Sequence, residues 1–126
     1  MTERELLERT KQFALRIFKL VGALPQTIQG RAVAAQLIRS GTSVAANYRA
    51  ACRARSKSEF VAKLGIVEEE ADETAFWLEL IIETELLRAT NVKPLLAEAS
   101  DIVAIMASSK KTAAKSQIAN RKSAIP

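Results

Sequence analysis

The sequence predicts an all-α fold, a bundle of four long helices, and three observations carry that prediction. Chain breakers are rare, with 4 Gly and 3 Pro in 126 residues. Such a chain has few places to turn, which favours long helices over many short strands. Apolar residues recur at spacings of three, four and seven through most of the chain, the period of a helix with one buried face. Alanine, the best helix former, is abundant, while aromatic residues make up only 5%.

The first helix is expected over about Glu3 to Gly22. Leu6, Phe13, Ile17, Leu20 and Leu24 form its stripe, and Gly22 and Pro25 end it. The turn that follows is short, so the second helix should run back antiparallel. That helix is expected over about Thr27 to Arg55, with Thr27 as N-cap. Its stripe reads Ile28, Ala34, Leu37, Ile38, Gly41, Val44, Ala45, Tyr48 and Cys52. Small residues crowd its middle, which allows close helix approach, and Gly41 with the hydroxyl residues after it could also bend it.

Ser56-Lys57-Ser58-Glu59 is a capping box followed at once by Phe60, and it opens the third helix. The stripe Phe60, Leu64, Val67, Ala71, Ala75, Leu78 and Ile82 carries this helix to about Leu87 or Arg88. The fourth is expected from about Val92 to Lys115, with Asn91 as a possible cap and Pro94 in the first turn. Residues 1–111 read as one bundle domain, and 112–126 as a basic C-terminal tail that frays as apolar residues thin out.

The third helix has more apolar surface than one bundle covers. Ile66, Phe76, Trp77, Leu80 and Ile81 lie beyond the core arc of its wheel. Phe and Trp together on a bundle surface call for a cover, and contact between copies is the natural one. A wide but purely internal core is the other reading. Gly65, in mid-helix, is expected to mark close packing.

Charge is segregated. From Arg9 to Ser58 there are ten basic residues and no acid. From Glu59 to Ala107 eleven acids face only Lys63, Arg88 and Lys93, and after Ser108 come five bases and no acid. Basic and acidic helices can neutralise each other, within a bundle or between copies. Alternatively, the basic stretch and the tail form a nucleic-acid surface. The cations that would meet phosphates are Arg39, Arg49, Arg53, Arg55 and Lys57, with Lys110, Lys111, Lys115, Arg121 and Lys122. Aromatics beside them are few, which favours backbone contact with structured nucleic acid over base stacking.

Little else could carry chemistry. The chain has no histidine, which removes most general-base schemes and the triads that need one. Its single cysteine, Cys52, excludes a thiolate metal cluster and an internal disulfide, and reads as a packing residue. The run Glu68-Glu69-Glu70-Ala71-Asp72-Glu73 reads as a solvated or salt-bridged face, since bundle metal sites pair such acids with histidine. Gly22, Gly30, Gly41 and Gly65 are isolated and form no phosphate loop. Asn47, near the apolar stripe, is expected to hydrogen-bond a neighbouring helix or to join Arg39, Ser43 and Arg53 in a functional surface. No metal, no cofactor and no catalysis are expected. The cytoplasm is the expected compartment, as no leader pattern and no membrane-length apolar run is visible.

Several runs together resemble a known family: Leu24-Pro25, Gln36-Leu37-Ile38-Arg39-Ser40, Ser43-Val44-Ala45-Ala46-Asn47, Arg53-x-x-Ser56-x-x-Glu59-Phe60 and Trp77-Leu78-Glu79. Their order and spacing, over roughly residues 10–90, are similar to the four-helix proteins encoded by intervening sequences of bacterial 23S ribosomal RNA genes. That family often has an acid shortly after the asparagine, where this chain has Arg49-Ala50-Ala51. The resemblance implies an antiparallel up-down-up-down four-helix bundle that assembles as a ring-shaped pentamer. A similar protein, the accessory factor of diversity-generating retroelements, binds RNA and a reverse transcriptase through a basic pentameric barrel. By analogy this implies a homo-oligomer that binds structured RNA. The alternative is an adaptor that docks a protein partner without nucleic acid.

Overall fold

The computed structural model describes the backbone of residues 1–124 and the side chains of residues 1–116. Among them are four helices and no strand: α1 Glu3–Gly22, α2 Ile28–Cys52, α3 Lys57–Glu83 and α4 Ala89–Ala124. Consecutive helices pack side by side with alternating direction. The contact of α3 with α2 and α4 is the most extensive, and α1 meets α4 least. α1 and α3 lie diagonally across the bundle, and their backbones do not approach each other.

Local chemistry sets the helix starts. Thr2, Thr27 and Ser56 are N-caps, and their hydroxyls accept from the backbone N–H of Glu5, Gly30 and Glu59 at 3.0–3.1 Å. These bonds satisfy donors that a helix start leaves open. Glu59 returns to the backbone N–H of Arg55 at 3.2 Å, one residue before the cap, and so braces the α2–α3 turn. α2 stops at Cys52, three residues short of the expected Arg55, because residues 53–56 make this turn and cap α3.

α3 also ends early, at Glu83, and its end carries no glycine or proline. Glu85 instead takes the left-handed conformation, at φ 58°. The Leu86 N–H reaches Ile81 O at 3.1 Å and the Glu85 N–H reaches Ile82 O at 3.1 Å. This is the paired-bond helix stop normally built on glycine. A side chain there is strained, so Glu85→Gly is expected to raise stability by about 1 kcal/mol, read from the urea midpoint.

α4 begins at Ala89, earlier than the expected Val92, so Asn91 is not a cap and Pro94 lies inside the helix. Burial of Val92 draws this first turn onto the core. α4 then stays helical to Ala124, beyond the expected end near Lys115, and buries Ala113.

The core runs through all four helices, with Phe13, Ile17, Leu37, Val44, Leu64, Leu78, Ile102 and Met106 fully buried. Two side-chain expectations are corrected. Ile28 is 77% exposed, because at the first position of α2 it precedes the turn that meets α1. Ile81 is fully buried, since the chain folds back at the end of α3 and widens its covered arc with Leu86.

Gly41 supports close approach of α1 and α2, as a Cβ there would meet Ile17 Cγ1 at 2.8 Å. Gly65 does not mark close packing within the chain, for its nearest such neighbour is Lys110 Cδ at 4.0 Å. Between α2 and α3, the buried hydroxyls of Ser40 and Thr74 lie 2.9 Å apart, and Thr74 also donates to Glu70 O at 2.8 Å.

Candidate functional site

Part of the segregated charge is neutralised inside the bundle. Arg39 on α2 bonds Glu70 of α3 at 3.1 Å and also Glu73. Lys110 on α4 meets Glu68 of α3 at 2.6 Å. Arg9 grips Glu98 of α4 with two hydrogen bonds of 2.7 Å, closing the thin α1–α4 seam. Of the cations singled out for phosphate contact, Arg39 and Lys110 therefore already have carboxylate partners.

Arg49, Arg53, Arg55, Lys57, Lys111 and Lys115 are exposed, and none is in an ion pair among the described residues. Antiparallel packing brings most of them to one end of the bundle. A surface cleft there joins Lys57 and Phe60 of α3 to Ser108, Thr112 and Ser116 of α4. A second cleft joins Arg55 and Lys57 to Cys52 and to Glu3 of α1. The α2–α3 turn thus lies beside the α4 segment that carries the exposed Lys111 and Lys115. The Arg121 and Lys122 side chains lie outside the described residues.

Between α1 and α2 runs an open groove of ≈ 940 Å³. Leu7, Ala14, Ala45 and Ala46 floor it. Arg4, Lys11, Arg49 and Arg53 border it, with Glu3 and Glu8 near the start of α1. The sequence reading missed Arg4 and Lys11 here. The spacing of Leu7, Lys11, Ala14 and Phe18 puts them on one strip of α1, and Phe18 is 53% exposed. That strip was the available signal.

The aromatic pair on α3 is at the surface. Phe76 is 50% exposed and meets the half-buried Trp77 edge to face, with ring centroids 5.0 Å apart. The indole N–H donates to Glu73 at 3.1 Å. Leu80 is half-buried one turn on, and Ile66 is 36% exposed nearly three turns earlier. Asn47 donates to Ser43 O at 3.0 Å and Ser43 Oγ at 2.8 Å, so it bonds its own helix and not a neighbour.

Burial pushes the Cys52 thiol up to about 11, helped by its bond to Glu3. Tyr48 beside it is also raised, chiefly by burial. A thiol protonated at neutral pH is a poor nucleophile. An unfolded chain would lose the Cys52 proton near its ordinary value of 9.0, before the folded chain does. Stability is therefore expected to fall as pH rises from about 9 to about 11, and Cys52→Ser should flatten that part of a denaturation series. No three acidic or thiol side chains among the described residues converge as a metal ion needs. No described helix is long and apolar enough to cross a membrane.

A match to the family described as 23S rRNA-intervening sequence protein covers residues 2–108. The chain belongs to that family. A similar solved structure is a protein of unknown function from the S23 ribosomal protein family of Bacteroides thetaiotaomicron VPI-5482. It is 32% identical with a TM-score of 0.78, over 88% of this chain and 99% of that one. No curated protein matches the chain. The family match takes in all of α1, α2 and α3, and stops within α4 just before Lys110. The matched region thus includes the turn that carries Arg53, Arg55 and Lys57, while Lys110, Lys111 and Lys115 of α4 lie beyond it.

Proposed function

We propose that this chain is a non-catalytic homo-oligomer that binds structured RNA through the basic end of its bundle. A pentamer is the size that the family resemblance implies, and the cytoplasm is the proposed compartment. One observation supports the reading most: the exposed cations of the α2–α3 turn lie at the same end of the bundle as Lys111 and Lys115 of α4, and none of them is in an ion pair among the described residues. Arg53, Arg55, Lys57, Lys111 and Lys115 supply the phosphate contacts. Arg39 and Lys110 contribute less, since Glu70, Glu73 and Glu68 hold them. A single half-buried aromatic, Phe60, lines the clefts beside these cations, too little for a stacking platform, so the contact reads backbone shape and not bases.

The test is binding of the full chain to a structured RNA, titrated across salt. Five phosphate contacts per copy give a log–log slope of about −4, and Lys111→Ala with Lys115→Ala reduces its magnitude by about 1.5. Binding that is absent at low salt, or insensitive to salt, overturns the RNA reading. A second reading, an adaptor that docks a protein, draws on the exposed Phe76 beside Trp77. It predicts that the lysine changes alter no interaction while Phe76→Ala does.

A further inference from the structure

We propose that copies associate head to tail, with the outward ridge of α3 on one copy seated in the α1/α2 groove of the next. The proposal rests on the homo-oligomer reading above and names the two faces that meet.

Both faces are uncovered in the single chain. The ridge presents Phe76 and Ile66, with Leu80 half-buried beside them. The groove presents an alanine-rich floor, extended along α1 by the exposed Phe18. Small floor residues leave space that an aromatic side chain can fill, and the groove has room for Phe76 with Leu80 behind it. The two faces have no residue in common, so one copy can use both at once.

Charge selects the pairing. Glu69, Asp72, Glu79 and Glu83 are exposed and flank Phe76 at helical spacing on the outward side of α3. Along the groove border Arg4, Lys11 and Arg49 meet the ridge, with Glu3 and Glu8 beside them, while Arg53 of the α2–α3 turn stays with the RNA end. A two-fold contact of ridge on ridge would set carboxylates against carboxylates. A two-fold contact of groove on groove would set cations against cations. Only ridge in groove joins opposite charges around an apolar centre. Such a contact uses different patches on the two partners, so it propagates from copy to copy until the rotation closes a ring. Arg49 then serves assembly, and the RNA end keeps the cations of the α2–α3 turn and of α4.

The experiment measures mass in solution for the full chain and three variants, each checked for helicity by circular dichroism. Phe76→Lys spoils the ridge and leaves the groove. Ala14→Gln with Ala46→Gln fills the groove and leaves the ridge. Glu69→Lys with Asp72→Lys is a second ridge variant, at exposed positions away from the core. Each variant alone is expected to be a monomer, and an equimolar mixture of a ridge and a groove variant to give one species of twice the monomer mass. A ridge or groove variant that keeps the unaltered chain's mass overturns the faces while leaving the oligomer reading intact. A mixture that stays monomeric overturns the head-to-tail pairing. An unaltered chain that is itself monomeric at micromolar concentration removes the oligomer reading, and this proposal with it.

Discussion

Ile81→Ala is expected to cost about 3 kcal/mol of folding stability, measured by urea denaturation. Ile81 is fully buried where α3 ends, and the backbone closes over it through the Leu86 N–H bond to its carbonyl. Truncation removes buried methyl and methylene groups and leaves a cavity in a region pinned on both sides by the helix stop and by α4. Phe76, five residues earlier and half exposed, makes the contrast. Phe76→Ala should change the protomer's own stability far less, because much of the ring meets water in the single chain. Its effect should instead depend on protein concentration, as expected when folding and assembly are linked. A large, concentration-independent loss from Phe76→Ala would mean that the ring is packed within the chain.

Gly30→Ala is the second large effect. A Cβ at Gly30 would lie 2.0 Å from the carbonyl oxygen of Pro25 and 3.0 Å from its carbon. Those atoms belong to the turn between α1 and α2, so no side chain can swing aside. The turn must move, and with it the Thr27 cap bond to the Gly30 N–H at 3.0 Å. Overpacking of this kind costs about 3 kcal/mol, and the better helix propensity of alanine returns about 1, leaving a net loss of about 2 kcal/mol. Gly22→Ala is the control, since nothing lies within 4 Å of a Cβ there. Equal effects from the two substitutions would show that the clash at Gly30 is relieved at no cost.

Much of the fold was legible because helix signals are local. The α1 range Glu3–Gly22 follows directly from its stripe and its terminating glycine. The Thr27 and Ser56 caps could be read from residue type and position alone. The end of α3 could not, because the left-handed position is filled by Glu85, whose identity gives no hint of that backbone. The early start of α4 was hidden for a related reason. Pro94 suggested a first turn, but burial of Val92 places a turn before it.

The candidate site was legible in its residue types and not in its pairings. Arg39 and Arg49 look alike in sequence, each a base on α2 in a stretch without acids. One faces Glu70 and Glu73 across a helix contact, and the other borders an open groove. The difference is set by the rotation of α2 against α3, which no local pattern encodes.

By itself, the sequence determined the all-α class, four helices, most of the core stripes and the division of charge along the chain. Periodicity and capping act over a few residues, so each of these is written where it acts. Only the tertiary structure decided which cations are neutralised, that two distant basic segments share one end, and that α1 and α2 leave a groove. Those features depend on how helices rotate and slide against one another, and that is fixed by the packing of many side chains together.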